Sequence, residues 1–146
     1  MNRIEQLFQK RQDHVLNVYF TAGFPDLSDT VRIIKELAAA AGVDIIEIGM
    51  PYSDPLADGL NDTGKRCQAL ANGMNVALLM EQIKEVRSQM QMPLVLMGYL
   101  VQVMQYGVDR FLADAANAGV DGLILPDLPL YEYEMHFKEK KLQRPD

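Results

Sequence analysis

Hydrophobic positions along the chain alternate between two periods. Four short, predominantly apolar runs, Val15 to Thr21, Val43 to Ile48, Leu94 to Tyr99 and Val120 to Leu125, read as buried strands. Between them apolar residues recur at helical spacing. Val31, Ile34, Ala38 and Ala41 share one face after the first run, Val76, Leu79, Ile83 and Val86 before the third, and Phe111, Leu112, Ala115 and Ala118 after it. Asp26 or Ser28 and Asn75 stand where N-caps belong, and Gly119 where a C-cap glycine belongs. Met1 to Lys10 reads as a short amphipathic helix. Strands alternating with helices predict a parallel sheet, and the pattern leaves two architectures open, a doubly wound sheet or a (β/α)8 barrel. The segment after the first strand, Thr21-Ala22-Gly23-Phe24-Pro25, is neither a dinucleotide loop nor a P-loop.

Composition narrows the class. A chain of 146 residues, 49% of them hydrophobic, suffices for one domain, here residues 1–146, which should bury roughly 70% of its unfolded surface. The formal net charge of −6 argues against nucleic acid or an anionic membrane surface as partner, because phosphates select basic surfaces. Ser88 to Val108 is an uncharged run of 21 residues, long enough to span a bilayer were it helical, but its four glutamines with Pro93 and Gly98 indicate a buried strand at its centre. No membrane association and no signal peptide are expected. The single cysteine, Cys67, permits no internal disulfide, and two histidines without a spaced cluster suggest no metal site. The expected compartment is cytoplasmic.

Candidate chemistry collects where the second strand ends. The strand places Glu47 near its C-terminal end and runs into a loop holding Asp54, Asp58, Pro51 and Pro55. The prolines stiffen the loop and Gly49 and Gly59 let it turn, so Asp58 can fold back over the strand end and form an acid/base pair with Glu47. An isolated strand-end Glu is as often a cap or an ion-pair partner. Polar or aromatic residues also close the other strands, at Tyr19 and Thr21, Tyr99 and Asp127. Singly, Tyr19 and Tyr99 read as core aromatics with a wet hydroxyl, and Asp127 as a turn residue or helix cap.

The run Glu47-Ile48-Gly49-Met50-Pro51-Tyr52-Ser53-Asp54-Pro55-Leu56-Ala57-Asp58-Gly59 resembles the signature loop of the tryptophan synthase alpha subunit. The resemblance extends to Tyr19 through Pro25, Pro93 through Tyr99 and Gly119 through Pro129, covering about residues 1 to 137. It implies an α/β fold, the N-terminal half of a TIM (β/α)8 barrel with about four βα units, since a full barrel takes about 250 residues. It also implies a lyase that splits indole-3-glycerol phosphate into indole and glyceraldehyde 3-phosphate by a retro-aldol step, without a cofactor. By motif position Glu47 falls on the general acid/base and Asp58 on the partner of the indole nitrogen. Tyr19, Thr21, Met97 and Tyr99 fall on the substrate pocket, and Asp54 and Asp127 on coupling to the beta subunit.

Two departures from the family pattern matter. The family's phosphate grip comes from later strands than this chain contains, so the chain alone is expected to show little activity. Its four-strand sheet is expected to self-associate through open edges. The second departure is local: where the family has Pro-x-Ile-Gln after Ala-Asp-Gly, the chain reads Leu60-Asn61-Asp62-Thr63-Gly64-Lys65-Arg66-Cys67, and Val101-Gln102 replaces Asn-Pro. Codons for Asn61 to Lys65, read one base later, admit Met-Ile-Gln followed by Ala or Glu, so Leu60 to about Cys67 is expected to be an out-of-frame reading of the family segment. The alternatives are a non-catalytic half-barrel serving as a binding or assembly module, and a different phosphate-using barrel enzyme.

Overall fold

The computed structural model describes residues 1–52 and 60–140, the side chains of 60–63 excepted. Its elements in chain order are α1 (Arg3–Lys10), β1 (Asn17–Thr21), α2 (Asp29–Ala39), β2 (Ile45–Gly49), α3 (Leu60–Ala71), α4 (Val76–Arg87), β3 (Leu94–Met97), α5 (Leu100–Tyr106), α6 (Val108–Ala118), β4 (Gly122–Ile124) and α7 (Leu130–His136). The four strands form one sheet in the order β1-β2-β3-β4, and every neighbouring pair is parallel.

The two faces of the sheet meet different surroundings. Ile46 and Ile48 of β2 and Leu94 and Leu96 of β3 are fully buried, packed in one core with Ile34 of α2, Leu79, Ile83 and Val86 of α4, and Phe111 and Ala115 of α6. Side chains alternate along a strand. The other face therefore carries Asn17, Tyr19 and Thr21, then Glu47 and Gly49, Val95 and Met97, and Gly122 and Ile124. Helix α1 covers the lower part of this face: a Cβ on Gly122 would lie 3.1 Å from Ile4 Cδ1. Higher up, Tyr19 and Ile124 stay 39% and 40% exposed.

Local signals explain the helix ends. The Asn75 side chain accepts the Leu78 N–H at 2.9 Å, as an N-cap should. Gly119 ends α6 in the left-handed region at φ 91°, its N–H reaching the Ala115 and Ala116 carbonyls. Ser28, by contrast, caps α2 by position only and makes no side-chain cap bond. The strands are shorter than their apolar runs, because a ladder ends where its neighbour ends: β3 stops at Met97, and Tyr99 instead starts α5. Over 60–71, the part expected to be a misread loop segment forms α3 together with the residues that follow it.

One buried carboxylate ties the N-terminal strand ends together. Asp121, with no side-chain exposure, meets Arg3 Nη1 and Arg87 Nη2 at 3.2 Å each and accepts the Leu94 N–H at 3.0 Å. Arg87 also donates to the Gly119 carbonyl at 2.8 Å and the Met92 carbonyl at 2.7 Å. The network joins α1, α4, β3 and the entry to β4 at the end of the sheet away from Glu47. In α/β barrels that end serves stability. Among the described residues no helix is long and apolar enough to cross a membrane.

Candidate active site

The parallel register assembles the site in two rows. Tyr19, Glu47 and Val95 are directly paired across β1, β2 and β3, and one step toward the C-terminal ends Thr21, Gly49, Met97 and Ile124 form the next row. Glu47 is half-buried on the partly open face, and its Oε2 accepts from Asn17 Nδ2 at 2.5 Å. The Tyr19 hydroxyl lies 3.4 Å from Thr21 Oγ1. Four of the expected site residues, Tyr19, Thr21, Glu47 and Met97, thus share one face of three adjacent strands.

Gly49 has a different role from the one its sequence context suggests. It sits inside β2 and not in a turn, and it is absent from the positive-φ glycines. A Cβ there would lie 2.2 Å from Tyr19 Oη and 2.7 Å from Cζ. The missing side chain makes room for the Tyr19 ring, which sets the phenol beside Glu47. Gly49 is a spacer for an aromatic ring.

Tyr99 faces a different set of partners. It is buried, its ring centroid is 5.5 Å from that of Tyr52, and its hydroxyl accepts from Arg66 Nη1 at 3.2 Å. The Arg66 guanidinium carbon stands 5.7 Å from the Tyr99 ring centroid, within cation–π range. Arg66 is itself only 4% exposed and sits in the rim. Gln102 fastens the same region: its Oε1 accepts the Tyr99 N–H at 3.0 Å and its Nε2 donates to the Pro51 carbonyl at 3.0 Å. Sequence reasoning missed both residues. A residue three positions after a helix start is a capping signal for Gln102, but the N-cap is a tyrosine and hides it.

Asp127 accepts the Leu100 N–H with both oxygens, at 2.9 and 3.1 Å. It caps α5, not the helix that follows it, and so links the loop after β4 to the loop after β3. The first loop is held as well: Thr30 Oγ1 accepts the Gly23 N–H at 2.8 Å, and Asn72 Nδ2 at the end of α3 donates to the Gly23 and Pro25 carbonyls at 3.0 and 2.6 Å. Asp54 and Asp58 lie outside the described residues. A cleft of about 360 Å³ opens beside the rim between Met50, Pro51, Tyr52, Met74 and Gln102, but Glu47, Tyr19, Thr21 and Met97 do not line it. The strand-row chemistry belongs to the sheet face, not to this cleft.

The family model for the tryptophan synthase alpha chain matches residues 5–143. The chain belongs to the tryptophan synthase alpha chain family. A tryptophan synthase alpha chain from Parabacteroides distasonis is 51% identical over 139 residues, which is 95% of this chain and 54% of the relative. One from Flavobacterium psychrophilum is 50% identical with the same coverage. The crystal structure of tryptophan synthase subunit alpha from Legionella pneumophila superposes with a TM-score of 0.86 at 35% identity, over 92% of this chain and 53% of the other. The tryptophan synthase a2b2 complex from Pyrococcus furiosus matches with a TM-score of 0.78 at 37% identity. The chain spans about half the length of the curated relatives it matches. Its four-stranded parallel sheet with helices corresponds to about half of the tryptophan synthase alpha barrel.

Proposed function

We propose that this chain carries the acid/base carboxylate and part of the ring-binding wall for cleavage of indole-3-glycerol phosphate to indole and glyceraldehyde 3-phosphate. The observation that supports it most is the row Tyr19–Glu47, with Thr21 and Met97 one step above, at the C-terminal side of parallel strands. Indole is a poor leaving carbanion. A proton must first reach its C3, while the side-chain hydroxyl beside the breaking bond loses one; the C–C bond then breaks, its electrons return to the ring and the hydroxyl carbon becomes the aldehyde. Glu47 can serve both transfers in turn, because Asn17 holds Oε2 and leaves Oε1 for the exchange. Asp58 has the role of holding the charge that develops on the ring nitrogen. General acid/base help of this kind contributes about 10²- to 10⁴-fold.

The 146-residue chain by itself is expected to turn over little substrate. Holding reacting groups in place contributes up to about 7–11 kcal/mol in favourable cases, and the chain spans only half of its relatives. The beta subunit is the proposed partner, on the strength of the Pyrococcus complex, with Asp54 and Asp127 on the coupling rim. Asp127 bridges two rim loops, which would let a push on one reach the other.

The decisive test is Glu47→Gln, made at the matching position of the full-length Parabacteroides relative and assayed for indole release. Near-normal cleavage would refute the assignment to Glu47. Saturable turnover by the purified 146-residue chain at submillimolar substrate would refute its dependence on the remainder of the barrel.

A further inference from the structure

The cleft of about 360 Å³ beside the rim stands apart from the reacting row. Met50 follows Gly49, and alternation turns its side chain into the core that holds Ile48, away from the face of Glu47. Tyr52, Leu70, Met74, Leu79 and Tyr106 complete the apolar wall, drawn from the exit of β2, α3, the turn before α4, α4 itself and α5. Among the described residues no charged side chain lines it. Its polar groups are largely spent. Gln102 uses both amide atoms, on the Tyr99 N–H and the Pro51 carbonyl, Asn75 caps α4, and the Tyr106 hydroxyl donates to Asp114 at 2.6 Å. Gln105, exposed on α5, keeps its amide for an occupant.

We propose that this cleft binds a neutral aromatic molecule with a single N–H donor, and that its occupant is indole. A charged ligand would lose its hydration there and meet no counter-charge. A strongly polar one would find the hydrogen bonds of the wall already taken. A flat apolar ring instead gains the rings of Tyr52 and Tyr106 and the thioethers of Met50 and Met74, since sulfur favours aromatic edges. Size agrees: ligand pockets begin at roughly 300 Å³, and a dry cavity of roughly 150 Å³ already holds benzene. The chemical class follows from the cleft alone, whereas the choice of indole rests on the reaction proposed above, whose neutral product it is. The cleft would hold the released ring behind the end of β2, outside the row where the bond breaks.

The test is titration of the purified chain with indole, read by NMR of its ¹³C-labelled methionine methyls and assigned with Met50→Leu, Met74→Leu and Met97→Leu. Saturable shifts at Met50 and Met74 are expected, with half-saturation at about millimolar concentration or below, as suits so small a ligand. 1-Methylindole lacks the donor and is expected to bind about 2- to 12-fold more weakly. Leu70→Glu sets a charge at a wall position 37% exposed and is expected to weaken indole binding on the order of 10-fold or more. Gln105→Glu sets the charge on the α5 wall should the first variant not fold. Met104→Lys, 55% exposed on α5 and outside the wall, is expected to leave binding intact. Absence of saturable binding, shifts at Met97 alone, equal binding of 1-methylindole, or indifference to both wall charges would overturn the proposal. Undiminished indole release by the Glu47→Gln relative would instead refute the reaction and leave this titration as it stands.

Discussion

Replacing Gly49 by Ala tests how the site is built, because the structure sets both the sign of the effect and its remedy. A Cβ at position 49 would stand 2.2 Å from Tyr19 Oη, 2.7 Å from Cζ and 2.8 Å from Cε2. Ordinary carbon contacts sit at about 3.5–4.0 Å, so the ring as a whole must move by roughly 1 Å, since its far end alone cannot absorb the overlap. Overpacking of this size costs about 1–3 kcal/mol. Without the clash, Ala in a strand is favoured over Gly by about 0.5–1 kcal/mol. Gly49→Ala is therefore expected to destabilise the chain that keeps Tyr19 and to be neutral or slightly stabilising beside Tyr19→Ser. The difference between the two backgrounds is then roughly 1–3 kcal/mol, the clash alone, because the backbone gain is common to both. The four proteins of this cycle can be compared by urea denaturation, each stability read from its midpoint and slope. With no tryptophan and six tyrosines, circular dichroism is the primary probe and tyrosine fluorescence the second. An unchanged cost of Gly49→Ala beside Tyr19→Ser, or no cost beside Tyr19, would refute the spacer role. In the full-length relative the same substitution should lower indole release by displacing the phenol from beside Glu47.

Asp121→Ala leaves Arg3 and Arg87 facing each other without their shared carboxylate, and its expected cost is about 3–5 kcal/mol, read as a steep fall in the urea midpoint. Tyr106 has its pKa raised, first by its hydrogen bond to Asp114 at 2.6 Å and then by burial. The folded chain thus holds the phenol proton more tightly than the unfolded chain, so this contribution is complete below the ordinary tyrosine range near about 10 and is lost as pH rises through the raised value. Tyr106→Phe should cost about 0.5–1.5 kcal/mol at neutral pH and flatten the alkaline fall in stability, as a pH series of urea midpoints would show. The source DNA for Leu60 to Cys67 is expected to read as Met-Ile-Gln when begun one base later within Asn61; resequencing that finds codons incompatible with ATG ATA CAG would end that reading.

The periodicity of the chain carried a good deal by itself. Short, nearly continuous apolar runs and 3.6-period faces placed all four strands, and Asn75 and Gly119 announced helix ends that the structure bears out, because caps and burial patterns are properties of near neighbours in sequence. The signature loop around Glu47 was likewise legible, being one continuous and irregular run of side chains. Strand ends were less so, since a ladder stops where its partner stops and not where apolar residues do. Helix α3 gave little warning, its sequence mixing polar residues with Gly64.

What tertiary structure alone decided are the meetings between distant residues. Arg66 finds Tyr99 across 33 residues and Arg3 finds Asp121 across 118, and neither pair leaves a periodic trace. Gly49 reads as a turn residue beside Pro51, yet the register that sets Tyr19 opposite Glu47 lays the phenol across the place of its missing Cβ. Register is a relation between two strands, so the demand for glycine at 49 comes into being only when β1 and β2 pair.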